Sequence, residues 1–277
     1  MKILRYQYQG NKQYGILEGA RIYPITATIQ DIRDLIDYDF SKVGKEDSFK
    51  IEDVKVISPM DEPVRNVFCV GKNYLEHVNE VKGTSLDKSI PQKPIYFTKA
   101  VDYFKTDKDM IEISSLPTNE LDYEVELAII IGKTGKNITK EKAKDYVFGY
   151  MVANDFSARD LQRERGQWFK GKSLDGLTAI GPLITLKDEV EFPPKLKITS
   201  TVNGELRQNN FTDNLIFSID TIIEDLSNGM TLKKGDIILT GTPSGVGAGF
   251  EPPKYLQKGD VVELEIEKIG VLRNTMS

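Results

Sequence analysis

The stretch ELDYEVELAII, Glu120–Ile130, decides how this chain is read. With a period of two, Leu121, Tyr123, Val125 and Leu127 fall on one side, and Glu120, Asp122, Glu124 and Glu126 on the other. A strand places residues i and i+2 on the same face, so the segment is expected to be a strand carrying a row of carboxylates. Like charges at that spacing repel, and the row must face water, a basic neighbour or a cation. A second stretch, VVELEIEKIG (Val261–Gly270), alternates Glu263, Glu265 and Glu267 in the same manner. Alternation alone therefore leaves a solvated edge and a metal-binding strand both open.

A metal site needs a further ligand, and VANDFSARDLQ (Val152–Gln162) offers Asp155 at the end of an apolar strand, where the chain breaks into a polar helix. Glu124 and Glu126 from one strand and Asp155 from a neighbour would leave open positions on a hard cation for water and substrate. The residue counts restrict the metal. The chain has one histidine, His77, and one cysteine, Cys69, too few for a structural zinc site within one chain. Oxygen ligands favour magnesium, manganese or calcium.

Three other motifs carry chemistry. In GKNYLEHVNE, His77 and Glu80 lie three apart on a short helix, hence on one face, the arrangement of a base and its orienting carboxylate. An incidental surface histidine gives the same spacing. GQWFKGKS, Gly166–Ser173, matches G-x-x-x-x-G-K-S literally. A phosphate loop should follow a buried strand and open a helix, whereas polar RDLQRER precedes this one and LDGLTAIGP is a poor helix. Lys172 is instead placed to serve an oxyanion near the carboxylates. TGTPSGVGAG, Thr240–Gly249, is a glycine loop whose N–H groups can approach an anion, or a tight turn. Its glycines do not fit the dinucleotide fingerprint.

The whole chain sets the frame. At 277 residues with 39% hydrophobic and 29% charged content, it suits one large domain or a main domain with an appendage. A net charge of −5 argues against a nucleic-acid partner. No apolar run reaches the roughly 18 residues of a membrane span. MKILRYQYQG is strand-like and not a signal peptide, and a lone cysteine fits a reducing cytoplasm. Residues 1–58 read as a small N-terminal module of two strands about Gly10–Asn11 and a helix over IQDIRDLIDY, with KVISPMDEP as a junction. Residues 59–277 then alternate short strands with few helices, including a hairpin at Asn203–Gly204 and a helix SIDTIIEDLSNG capped at Gly229. The fold class is a β-rich α+β.

Taken together, VGKNYLEHVNE, KPIYFTKA, LDYEVELAIIIG, NDFSARDLQ, GQWFKGKSLDG and LTGTPSGVG resemble, in wording and order, the fumarylacetoacetate hydrolase family. Within it they are most similar to the acylpyruvate hydrolase and oxaloacetate decarboxylase branch. The resemblance spans roughly residues 60–270. It implies a mixed β-roll, a homodimer, and a Mg²⁺ or Mn²⁺ ion on Glu124, Glu126 and Asp155. It also implies Lys172 as the active-site lysine, and Arg159, Gln162 and Thr242 near substrate, with Thr242 in the loop that holds a substrate carboxylate. His77 and Glu80 become a dyad on a lid helix that orders on binding. The implied activity is metal-dependent C–C cleavage of a small 2-oxo acid. A 2-keto-3-deoxy sugar-acid dehydratase or isomerase on the same scaffold is the alternative. Asp122 has no ligand role in this pattern. Leu177–Ile180 departs from it, which leaves the pocket's shape open.

Overall fold

The computed structural model describes residues 1–80 and 90–277. Its strands are β1 (Lys2–Tyr8), β2 (Asn11–Glu18), β3 (Arg21–Pro24), β4 (Val67–Gly71), β5 (Ile95–Lys99), β6 (Val125–Ile131), β7 (Val147–Asn154), β8 (Leu183–Leu186), β9 (Lys197–Val202), β10 (Glu205–Phe211), β11 (Ile237–Leu239), β12 (Val261–Ile266) and β13 (Gly270–Met276), with shorter pieces between. The helices that matter for the site are α1 (Ile32–Asp37), α2 (Leu75–Glu80), α3 (Arg159–Glu164), α4 (Phe169–Lys172) and α5 (Ile219–Ser227). Among the described residues, the larger sheet runs Phe49–Lys50, β3, β2, β1, β8, β7, β6, β11, β4, β5, and the smaller one β10, β9, β12, β13, Met110–Ile111. The fold is mixed α+β and strand-rich, as expected.

β6 is central because its sequence, VELAIII, can be buried on both faces; all seven residues are, the mark of an interior strand. Its odd-numbered residues, Val125, Leu127, Ile129 and Ile131, share a core with α5 and with Val262, Leu264 and Ile266 of β12. α5 supplies Ile219, Ile222, Ile223 and Leu226 at the i, i+3, i+4, i+7 spacing of an apolar helical stripe. The even-numbered Ala128 and Ile130 join Met151 and Ala153 of β7 and Ile3, Tyr14, Ile32 and Leu35 from the N-terminal residues. β1 pairs antiparallel with β8, so the first strands of the chain extend the larger sheet.

Local signals explain most boundaries. At the β9–β10 turn, Asn203 (φ 52) and Gly204 (φ 80) both take the positive φ that a type I′ turn requires. Gly229 (φ 80) follows α5 as its left-handed cap. Between Thr139 and Val147 the chain makes only a 3₁₀ turn at Lys140–Lys142 and one α turn at Ala143–Tyr146, because Val147 already starts β7. The end of the helix expected over Asn73–Lys82 lies outside the described residues.

Candidate active site

Antiparallel pairing of β6 with β7 sets Val125 opposite Asn154 and Glu126 opposite Ala153. One step further, Asp155 N–H donates to Glu124 O at 3.0 Å, which brings the two carboxylates together across the strands. Glu126, two residues along, shares Glu124's face. Here the ladder gives way to side-chain amides: Glu124 N–H donates to Asn154 Oδ1 (3.0 Å) and Val125 N–H to Gln208 Oε1 (3.1 Å). Glu124 is 4% exposed, Glu126 2% and Asp155 0%, and one oxygen of each lies within 4.8 Å of the others. Burial separates this row from its look-alike. In β12, Glu265 is solvent-exposed and Glu263 pairs with Arg273 at the surface.

Three cations are buried with the cluster. Lys172 Nζ donates to Glu124 Oε2 (2.6 Å) and Asp155 Oδ2 (2.7 Å). Lys99 pairs with Asp155 from behind and donates to the carbonyls of Phe156 (3.1 Å) and Leu177 (2.8 Å). Arg159 Nε donates to Asp122 Oδ2 (2.8 Å), and its Nη2 sits 2.7 Å from Glu124 Oε1 in ion-pair contact without an aligned hydrogen bond. Among the described residues, then, four buried carboxylates (Asp122, Glu124, Glu126, Asp155) meet three buried cations (Lys99, Arg159, Lys172). The imbalance falls on Glu126, which accepts from Gly241 N–H at 2.6 Å. Burial, then the charges of Asp155 and Glu124, push its carboxyl well above the usual range. Burial opposes ionisation of Glu124 too, but Lys172, Arg159 and His77 outweigh it and hold that carboxyl down. Burial also works against the Lys172 ammonium, yet Asp155 and Glu124 keep it charged. Three convergent oxygen donors, one of them short of a counter-charge, fit a hard divalent cation.

The pocket above this floor is lined by His77 and Val78 of α2, by Arg159, Gln162 and Thr242, and by Val70, Gly71, Phe97 and Trp168. His77 Nδ1 lies 3.3 Å from Glu80 Oε2, and Glu80 Oε1 accepts from Gly245 N–H at 2.7 Å. Arg159 Nη1 donates to Gln162 Oε1 at 3.1 Å, one turn along α3. The structure thus gathers His77, Glu80, Glu124, Glu126, Asp155, Arg159, Gln162, Lys172 and Thr242 in one place. The glycine loop is an anion nest, but the anions it holds are the protein's own. Gly241 serves Glu126, Gly245 serves Glu80, and Gly247 (2.6 Å) and Ala248 (3.0 Å) serve Asp122. Thr242 Oγ1 donates to Val125 O (2.9 Å) and accepts from Gln208 Nε2 (2.7 Å), so its hydroxyl anchors the loop to β6.

Other motifs resolve plainly. GQWFKGKS is not a phosphate loop: α4 is a single turn, and the Lys172 ammonium is committed to carboxylates. Leu177–Ile180 does not line the pocket; Ala179 and Ile180 pair with Asn154 and Ala153 in the sheet. Cys69 is fully buried, and burial pushes its thiol up, a structural rather than reactive setting.

Residues 66–277 match the family model described as fumarylacetoacetate (FAA) hydrolase, C-terminal, and residues 1–59 match one described as Rv2993c-like, N-terminal. The chain belongs to the fumarylacetoacetate hydrolase family. Oxaloacetate tautomerase YisK of Bacillus subtilis is 47% identical over 226 residues, 82% of this chain and 74% of the relative. A fumarylacetoacetate hydrolase from Exiguobacterium antarcticum superposes with a TM-score of 0.88 at 40% identity, covering 100% of this chain and 99% of that one. A family member from Mycobacterium marinum, 2-hydroxyhepta-2,4-diene-1,7-dioate isomerase, gives 0.77 at 30% identity, covering 100% and 98%. Among the described residues, no helix is long and apolar enough to cross a membrane.

Proposed function

We propose that this chain is a divalent-metal-dependent enzyme of small 2-oxo acids that works through the C2–C3 enolate, with keto–enol tautomerisation of oxaloacetate as its first reaction. The observation that carries this reading is a buried three-carboxylate cluster with an ammonium on its edge, facing a His–Glu pair across one small pocket. Mg²⁺ or Mn²⁺ held by Glu124, Glu126 and Asp155 would supply Lewis-acid polarisation of the 2-oxo and carboxylate oxygens. Lys172 spends two of its three protons on Glu124 and Asp155, which leaves one donor for the oxyanion that develops at C2. Arg159 and Gln162 offer N–H groups to a substrate carboxylate. Because Glu80 faces Nδ1 of His77, Nε2 is left to carry the proton between C3 and the C2 oxygen.

Tautomerisation, isomerisation and C3–C4 cleavage share that enolate, and the 47% identical relative named for oxaloacetate tautomerisation supports the first. Cleavage of an acylpyruvate or decarboxylation of oxaloacetate is the second reading. It is favoured by the His77–Glu80 pair, which suits activation of a water for attack at C4. The test supplies oxaloacetate enol, acetylpyruvate and a 2-keto-3-deoxy sugar acid with Mg²⁺, and follows enol absorbance and pyruvate release. Chelator-sensitive acceleration of enol loss is expected. Inactivity on all of them with either metal would end the proposal, and dehydration of the sugar acid alone would replace it.

Asp122 enters this scheme as a positioning residue. Its Oδ2 accepts from Arg159 Nε and the Ala248 N–H on one side, and its Oδ1 accepts from the Gly247 N–H on the other. In Asp122→Asn the amide keeps the shape but can serve only one of these sides as an acceptor. Turnover is expected to fall by roughly 10–100-fold, the usual loss when an outer-sphere partner goes, with substrate affinity weakened through Arg159. Steady-state kinetics alongside a thermal melt checks this; unchanged kinetics would show that Arg159 needs no such support.

A further inference from the structure

We propose that the indole of Trp168, seated against Gly71, closes the apolar side of the pocket at the length of a short 2-oxo acid and thereby excludes longer acyl chains. The inference rests on the 2-oxo acid reading and narrows it to a substrate class. Four observations carry it. A Cβ built on Gly71 would lie 2.2 Å from Trp168 Cζ3 and 2.7 Å from Cη2, so the ring occupies the space where a side chain on Gly71 would stand. Phe97 backs the indole edge-on, with centroids 5.2 Å apart and planes at 79°, a favoured aromatic arrangement. Phe97 in turn lies under Lys172 Nζ, 5.3 Å from its ring centre. Finally, Lys172 N–H donates to Trp168 O at 3.1 Å, so a single helical turn fixes the spacing between the wall and the ammonium.

The pocket is partly open to solvent and small, about 50 Å³. At about 10–15 Å³ per water in this measure, it holds roughly four waters, comparable to the carbon skeleton of a short oxo acid. Lys72, His77, Arg159, Gln162 and Thr242 are among its polar lining residues, and Val70, Val78, Phe97 and Trp168 are its large apolar ones. An alkyl chain growing from C4 is disfavoured against the polar groups, whose hydration it would strip, and gains against the apolar ones, where it meets the indole. The half-buried ring is held by the Gly71 backbone behind it and by Phe97 at its edge.

Calorimetric titration with Mg²⁺ present tests this. The probes are oxalate, pyruvate, 2-oxobutyrate, 2-oxopentanoate and 2-oxohexanoate, added to wild type, Trp168→Ala and Trp168→Phe. In the wild type, affinity is expected to drop by roughly tenfold or more between 2-oxobutyrate and 2-oxohexanoate, the scale of overpacking. In Trp168→Ala it should instead rise by about fourfold per added methylene, as each becomes buried, with Trp168→Phe between. Because Trp168 is the chain's single tryptophan, wild-type emission should also change on binding. Should Trp168→Ala fail to fold, the milder Trp168→Phe carries the same ranking test. Retained oxalate binding with the same chain-length ranking in wild type and variants would overturn the wall alone. Absence of oxalate and pyruvate binding in every protein would overturn the 2-oxo acid reading, and the wall with it.

Discussion

Replacing Glu126 by glutamine is expected to leave the metal-free protein as stable as the wild type, or more so, while removing both its stabilisation by Mg²⁺ and its turnover. Glu126 is 2% exposed, and burial together with Asp155 and Glu124 pushes its carboxyl well above the usual range. A glutamine amide is a neutral replacement of the same shape, and its oxygen can still accept from Gly241 N–H. The substitution therefore costs little in the metal-free state, where an ionised carboxylate would have been the poorer occupant. With metal the balance reverses, since an amide oxygen brings no charge to a site one cation short. At 100 times its dissociation constant, a ligand adds about 2.7 kcal/mol, or a rise of roughly 5–10 °C in a chain of this size. That rise should appear in the wild type and vanish in Glu126→Gln. Loss of the Lewis acid, worth several kcal/mol, should lower turnover by roughly 10²–10⁴-fold. A variant that kept the full magnesium shift and full activity would sink the ligand assignment. One that melted far below the wild type without metal would sink the account of a carboxyl pushed above its usual range.

That same carboxylate row shows how far the sequence could be read. Its period of two was legible, as were the parity that puts Glu124 and Glu126 on one face and the strand end that presents Asp155. Burial was not, because β12 carries the same alternation and is likewise flanked on both sides, and the difference lies in what covers the glutamate face: Lys172, Arg159 and the Gly241 loop lie on that of β6, while the glutamates of β12 look outward. Asp122 belongs by parity to the row, yet its role depends on Arg159 and the Gly247–Ala248 amides arriving from distant segments. Lys99 was missed as well. A signal existed: in PIYFTKA it shares parity with Phe97 on an otherwise apolar strand, where a lysine is costly unless paired. The glycine loop was open to two readings, an anion-binding loop or a tight turn, and nothing in its residues said whose anions would fill it. Lys172 stood out within a motif it does not serve, and its place beside the carboxylates came from the family resemblance.

The sharpest division between the remaining readings is expected from His77→Ala. Removing a positioned general base costs typically 10²–10⁴-fold, and this loss should be seen for oxaloacetate enol–keto conversion, where a proton must leave the C2 oxygen and be delivered to C3. It should be seen equally for acetylpyruvate, where water must be activated before it attacks C4. Oxaloacetate decarboxylation should be the least affected, because C4 departs as CO₂ with its bonding pair left on C3, and no base is required. The fold should tolerate the change: α2 is tied down independently by Glu80 to Gly245 N–H, and by Glu76, which accepts from Ser244 Oγ (3.2 Å) and Asn210 Nδ2 (3.4 Å). Glu80→Gln makes the necessary comparison. Its amide oxygen can accept from His77 or from Gly245 but not from both, and the negative charge beside the ring is gone, so a smaller loss on the same two reactions is expected. Rate measurements on the three substrates, at matched Mg²⁺ and with melts as controls, separate these cases. Equal losses on all three would mean that His77 binds substrate rather than moving a proton, and no loss on any would place the base elsewhere in the pocket. Selective loss of the first two is the pattern that only a proton-transferring His77 produces, because the three reactions share the enolate and differ only in whether a base must act.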